Sequence, residues 1–366
     1  MRKYQKPFFE KDAANSFFHQ LKAEVNENII TKIEGNALEK FKLFLFLGCY
    51  FLFYVLILIF GNNTFLLFLF YVFMGWSMIL FFVNSFHDAV HNAIFKTKKY
   101  NHYVTWMLEL FGSNSYVWIR RHNLLHHPYP NVQDWDIDIK QSDMVRLFPN
   151  SPLFKFHKYQ HIYMWFLYPF YTLNWLFIRD FKDFFGTKDN YLKRIHTIPT
   201  IEYVKLIFFK LFSFFYTVIL VWWVLRQTFI TVFIAWIVMH VLASALGVIA
   251  LISTHVDETA VFPAADATGL IHDTWAHHQM NTTKDFGTNS KVAEFLFGGF
   301  THHVAHHLFP NVPHTYCKRI TPVIRKYAEK YNLPYTNYPV IEAIRSHYRL
   351  LKNNGFGESI FKHGEL

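Results

Sequence analysis

Apolar residues along this chain gather into four long blocks. The first runs from about Leu43 to Phe60 and the second from about Phe65 to Val83, parted by Gly61-Asn62-Asn63-Thr64. The third runs from about Ile207 to Leu225 and the fourth from about Phe229 to Ile252, parted by Arg226-Gln227-Thr228. Each block approaches the roughly 20 apolar residues that a helix needs to cross a bilayer. The turns between them are short, so the pattern predicts two membrane hairpins, with spans at 43–60, 65–83, 207–225 and 229–252. The first turn carries no Lys or Arg, whereas Lys40, Lys42, Lys96, Lys98 and Lys99 flank its hairpin. Cytoplasmic loops hold the excess of positive charge. The outer ends of both hairpins, and with them both termini, are therefore expected in the cytoplasm.

The rest of the chain is read around these spans. Residues 1–40 are polar and mixed, and suit amphipathic helices on the cytoplasmic surface; no signal peptide is visible. Residues 41–350 form the membrane domain and 351–366 a tail. Between Tyr100 and Tyr203 lie two semi-apolar segments, Tyr103–Phe111 and Ile162–Ile178, the second interrupted by Pro169. Both are expected as interfacial or partly buried helices, with a re-entrant segment as the alternative for the second. The terminal His363-Gly364-Glu365-Leu366 matches a retrieval signal only in part and is treated as chance. The expected fold is all-α and integral to the membrane: four transmembrane helices in two hairpins under a cytoplasmic helical cap.

Composition strengthens this picture. Of 366 residues, 52% are hydrophobic and only 17% charged, which suits one membrane-embedded unit better than two soluble domains. The net charge of +10 is accounted for by cytoplasmic Lys and Arg beside the spans. No basic recognition helix accompanies it, so nucleic-acid binding is not expected. Cys49 and Cys317 are far apart and suggest neither a disulfide nor a thiolate metal site. The bias to Phe, Ile, Lys and Asn leans towards a bacterial inner membrane.

The candidate chemistry lies in the 22 histidines. His87-Asp88-Ala89-Val90-His91 is an i,i+4 pair, and His122-Asn123-Leu124-Leu125-His126-His127 an i, i+4, i+5 set. In Thr301-His302-His303-Val304-Ala305-His306-His307, a helix would place His303, His306 and His307 on one face. Neutral imidazole is the commonest protein ligand for transition metals. The two hairpins return every cluster to the same side of the membrane, so the clusters can converge on one site. Eight or more imidazoles exceed the needs of one ion and suggest two metals. Zinc hydrolases need fewer ligands, and the Glu-x-x-His pairs of soluble di-iron proteins are missing. A membrane, an apolar channel and a two-metal oxygen site together point to attack on an unactivated alkyl chain.

The three clusters, in order and spacing, resemble the histidine boxes of the membrane fatty-acid desaturases: His87-x-x-x-His91, His122-x-x-x-His126-His127 and His303-x-x-His306-His307. The run His126-His127-Pro128-Tyr129-Pro130-Asn131, the segment Trp275-Ala276-His277-His278-Gln279 and His306-His307-Leu308-Phe309-Pro310-Asn311 resemble bacterial acyl-CoA and phospholipid desaturases. The resemblance spans about residues 40 to 350. It implies a non-haem centre of two Fe, dioxygen, two electrons from an external donor of ferredoxin or cytochrome b5 type, and insertion of a cis double bond into a fatty-acyl chain. It implies His87, His91, His122, His126, His127, His303, His306 and His307 as ligands. A further ligand from the segment before the third box is best matched by His278, with His277 competing.

Some residues depart from the pattern or carry two readings. Many front-end desaturases begin the third box with Gln and carry a fused cytochrome b5 domain; here the position is His303, and no such domain fits in the 40-residue leader. This argues against front-end regiochemistry and for a separate electron-transfer partner. Asp88 is a candidate to orient a ligand imidazole, set against a helix cap or a pair with Lys, and Asp134, Asp136 and Asp138 are candidates to brace the second box, set against a solvated acidic loop. His302 is expected to cap or pack. Arg120 and Arg121 are expected to anchor at the interface, with a phosphate-bearing head group as the alternative. His240, inside the fourth span, is expected to make an interhelix hydrogen bond. A hydroxylase or ketolase is the alternative within the same chemistry, and a membrane metal transporter the alternative from another class.

Overall fold

The structure is a computed structural model describing residues 6–13, 16–33, 35–140, 142–186 and 191–356. Both termini and the tail from residue 357, with the expectations placed on them, lie outside the described residues. The chain divides into two compact units, one of residues 36–119 and 165–249, the other of 6–35, 120–164 and 250–356.

The first unit carries the apolar blocks. Among the described residues, four helices are long and apolar enough to span a membrane: Ala37–Phe60, Thr64–Val90, Thr200–Val224 and Phe229–His255. Three of them start or finish several residues beyond the apolar blocks. Helical hydrogen bonds continue through polar residues that find partners, as where Lys42 Nζ donates to Asn84 Oδ1 at 2.8 Å. The two short turns bond each other. Arg226 N donates to Asn62 Oδ1 at 2.6 Å, and Gln227 Nε2 donates to the carbonyls of Gly61 and Asn62. Phe44, Phe65 and Trp223 are 69%, 72% and 78% exposed, as lipid-facing side chains would be.

Inside, the spans pack closely. A Cβ on Gly75 would lie 2.7 Å from Met239 Cγ and 2.8 Å from the Met239 carbonyl, so only glycine lets the second and fourth spans approach this far. The second span holds a π-helical turn at Phe82–Phe86 and the third another at Phe215–Ile219. A wider turn disturbs the regular carbonyl ladder. At the second of these turns, the Tyr54 and Tyr71 hydroxyls donate to the carbonyls of Tyr216 and Thr217. His240 makes the expected interhelix bond, its Nδ1 3.0 Å from Thr172 Oγ1. A cleft opens beside it, lined by Met78, Ile79, Phe82, Trp118 and Trp175 among others.

The segment Tyr103–Phe111 lies in the helix Lys98–Leu110. The segment Ile162–Ile178 is broken at Pro169 by the 3-10 turn Tyr168–Phe170, and Phe170, Phe177 and Ile178 are exposed along it. A buried ionic network holds these connections to the third span. Lys210 Nζ donates to Asp180 Oδ2 at 2.9 Å and to the carbonyls of Gly112 and Leu176. Glu109 accepts from Ser115 N and Oγ at 2.9 and 2.8 Å, and burial pushes its carboxyl up to about 7.

The second unit is built on its own core. Leu21 and Val25 of the helix Phe17–Asn28 belong to one buried cluster with Cys317, Ile320 and Ile324 of the helix His314–Tyr331. Ala276, Met280, Val304, Ala305 and Leu308 complete it. The short helices carrying the second half of the histidine pattern are thus fixed by apolar packing on their back faces. Two small parallel ladders, Phe8–Glu10 with Leu270–Thr274 and Asp285–Phe286 with Asn337–Tyr338, are strands that the hydropathy pattern does not signal.

The ionic network yields a prediction. Lys210→Met leaves the Asp180 carboxylate, 1% exposed, without its cation. Breaking a buried pair in this way costs about 3–5 kcal/mol. The thermal midpoint in detergent should fall sharply, and Asp180→Asn added to Lys210→Met should recover part of the loss. An unchanged midpoint for the single variant would contradict the assignment.

Candidate metal centre

The second histidine box begins where the helix Ser115–Arg121 widens into a π-helical turn over His122–His126. His127 N bonds the His122 carbonyl, one residue further than an α-helix allows. The wider turn brings His127 over His122, with Nε2 atoms 2.9 Å apart. His126 is left to point elsewhere. The proline-bearing run that follows ends the helix and turns the chain back through Asn131, whose φ of 60° is left-handed.

That return places an acidic loop behind the box. Asp136 lies 3.1 and 3.0 Å from His126 Nδ1 through its two oxygens. It is held there by the backbone N–H groups of Asn131, Asp138 and Ile139. Asp138 Oδ2 lies 3.3 Å from His122 Nδ1, while its other oxygen pairs with Arg121 at 3.0 Å. Arg121 is fully buried and also donates to the Ile137 carbonyl, so it braces this loop, which corrects the expectation of an interfacial anchor. Asp134 is 49% exposed and lies 3.8 Å from Lys140. Burial opposes charge on His126, but Asp136 outweighs it and holds the ring above its ordinary range.

The third box is the short helix His303–Leu308. Asp285 caps its first turn, accepting from Val304 N at 2.9 Å and from the Tyr335 hydroxyl at 2.7 Å. His302 bonds Thr321 Oγ1 at 2.9 Å and Glu294 at 3.2 Å, a packing role. His306 Nε2 lies 3.2 Å from His127 Nε2, and His307 Nε2 lies 3.1 Å from His303 Nε2. The expected shared face is therefore divided between two groups. His122, His127 and His306 form one; His126, His303 and His307 form the other, and His255 joins the second. In each group the ligand-capable atoms lie within 4.8 Å of one another.

The donor atoms suit a metal. A neutral imidazole carries one proton, so a partner on Nδ1 that can only accept leaves a lone pair on Nε2. His255 Nδ1 lies 2.9 Å from the Thr282 carbonyl, and His126 Nδ1 faces the Asp136 carboxylate. His307 Nδ1 lies 2.8 Å from Gln279 Oε1. His255 and His307 thus direct Nε2 lone pairs at one ring nitrogen, His303 Nε2, at 2.8 and 3.1 Å, as fellow ligands of one cation would. His307 is held well below its ordinary range by burial and by the neighbouring imidazoles, which keeps it neutral and able to ligate.

Two expected ligands lie in the other unit. His87 and His91, buried, flank the last turn of the second span beyond its π-helical turn, with ring centroids 5.3 Å apart. Asp88 between them is buried as well. His278 does not enter either group: its ring lies against Phe9, centroids 5.0 Å apart, and burial pushes it down to about 4. His277 is 39% exposed and faces Asp273 at 2.6 Å. The additional histidine is His255, at the end of the fourth span. Its only sequence signal is the polar run Ser253-Thr254-His255 closing an apolar block, without box spacing.

Asp136→Ala removes the partner that aims His126. Loss of such outer hydrogen bonds typically lowers metal affinity by about 10- to 100-fold. Cobalt titration of the purified protein should show that weakening, with Asp134→Ala as a control of unchanged affinity. Equal behaviour of the two variants would remove Asp136 from the centre.

Comparison with known proteins agrees with this geometry. The family model described as fatty acid desaturase matches residues 62–339. The chain is 29% identical over 324 residues to an acyl-lipid (8-3)-desaturase of Physcomitrium patens, covering 85% of this chain and 65% of that protein. It is 28% identical over 284 residues to an sn-1 linoleoyl-lipid 6-desaturase of Synechocystis sp., covering 76% and 78%. It is 30% identical over 305 residues to the acyl-lipid (8-3)-desaturase B of Dictyostelium discoideum, covering 78% and 64%. The chain thus spans about two thirds of the length of the first and third of these relatives. With the family's model matched over most of its length, this chain belongs to the fatty acid desaturase family.

Proposed function

We propose that the protein is a lipid-linked fatty-acyl desaturase that inserts a cis double bond with dioxygen and two electrons. The observation that carries this reading is the pair of buried imidazole groups with Nε2 atoms aimed inward, in a chain of this family. His126, His255, His303 and His307 would hold one iron. His122, His127 and His306 would hold the other. His255 takes the place for which His278 is the sequence choice, because its Nε2 lies 2.8 Å from His303 Nε2.

The bound irons would supply the oxidising power to remove two hydrogens from neighbouring carbons; the alkene and two waters balance dioxygen, two electrons and two protons. The protein's own part is to aim the ligands and keep water away. Burial of every group member serves the last purpose. The apolar cleft beside His240 has the lining an acyl chain requires. The relatives' names favour acyl-lipid over acyl-CoA as the carrier. One of those names, 6-desaturase, also favours a bond near the carboxyl end, against the sense of His303. Charge flanking the spans supports boxes on the cytoplasmic side.

The test is lipid profiling by gas chromatography and mass spectrometry in a host with few unsaturated acids. The intact protein should yield a new unsaturated acid in the membrane lipids, and His303→Ala with His307→Ala should yield none. His255→Ala should abolish product and lower the bound metal from two per chain, whereas His278→Ala should retain both. A new hydroxy acid would contradict desaturation, and metal loss confined to His278→Ala would reverse the ligand assignment.

A further inference from the structure

Gln279 is fully buried, on the helix Trp275–Thr282, and each end of its side chain meets a different histidine box. Its Nε2 lies 3.1 Å from the backbone carbonyl of His127. Its Oε1 lies 2.8 Å from Nδ1 of His307. A carbonyl oxygen only accepts, so the amide group facing His127 must be the NH2 end. The oxygen is then committed to His307, and an oxygen can only accept from that ring. His307 Nδ1 therefore carries the proton, and the lone pair sits on Nε2, beside His303 Nε2 at 3.1 Å.

From this geometry we infer that Gln279 is a positioning residue: it sets the tautomer and aim of His307 and ties the chain of the second box to the ring of the third. The inference rests on reading the histidine groups as metal sites. Its partners also explain why the residue is an amide. Leucine would leave the His307 N–H and the His127 carbonyl buried without partners. Glutamate would still accept from His307 but could not, when ionised, donate to His127. It would also place a carboxylate behind the ring, as Asp136 does behind His126, and make His307 a stronger electron donor. The group formed by His126, His255, His303 and His307 is thus backed unequally: a carboxylate on His126, a backbone carbonyl on His255 and a neutral amide on His307.

The experiment compares the whole protein with Gln279→Leu and Gln279→Glu by cobalt(II) titration, following ligand-field absorption and metal per chain, with thermal midpoints measured on the same samples. Wild type should bind two cobalt ions. Gln279→Leu should weaken one of the two by about 10- to 100-fold and leave the other nearly unchanged. Gln279→Glu should restore that equivalent, with its absorption bands displaced from those of wild type. Wild-type affinity for both ions in Gln279→Leu would overturn the proposal. So would equal metal loss in both variants tracking a lowered thermal midpoint, since that is all a packing role predicts. A wild type that binds no cobalt would instead overturn the metal reading beneath it.

Discussion

An imidazole offers a lone pair on one nitrogen at a time, and in a dry interior the choice must be made by its neighbours. The candidate centre depends on this constraint more than on the number of its histidines. Asp136, the Thr282 carbonyl and Gln279 each occupy the Nδ1 side of a ring and leave Nε2 to face the group. Asp138 stands in the same relation to His122. The elements that hold these partners are short and irregular: a left-handed Asn131, a buried Arg121 across the acidic loop, Asp285 at the head of the third box. Their irregularity is stabilised from behind by the apolar core of Leu21, Val25, Ile320 and Ile324.

The spans and most of the clustered histidines are legible in the sequence for related reasons. Lipid tolerates few polar side chains and no unpaired backbone, so a spanning helix announces itself as a block of apolar residues. The ends of the helices are less legible, because Lys42 is buried against Asn84, a partner some 40 residues away in sequence. Box spacing gives the clustered histidines but not their division. An α-helical reading of His122–His127 cannot foresee the π-helical turn that pairs His122 with His127 and sends His126 to the other group. His255 has no box around it, and its place follows only from where the fourth span ends. His278 carries the more persuasive motif, yet its ring packs on Phe9. Gln279, in the same motif, is positioned by two distant hydrogen bonds that no local pattern records.

The two units divide the labour of an enzyme acting on a lipid. One offers lipid-facing helices, a tyrosine-satisfied distortion in the third span and an apolar cleft beside His240. The other offers seven histidines, their aiming partners and the core that fixes both.

The central claim is that the histidines hold two metals in a particular division. It is tested most directly by diffraction from crystals of the iron-loaded protein, collected at the iron absorption edge. The account predicts two anomalous peaks, one among His126, His255, His303 and His307, the other among His122, His127 and His306. A single peak, or peaks at surface histidines such as His272 and His277 with none in these groups, would contradict it.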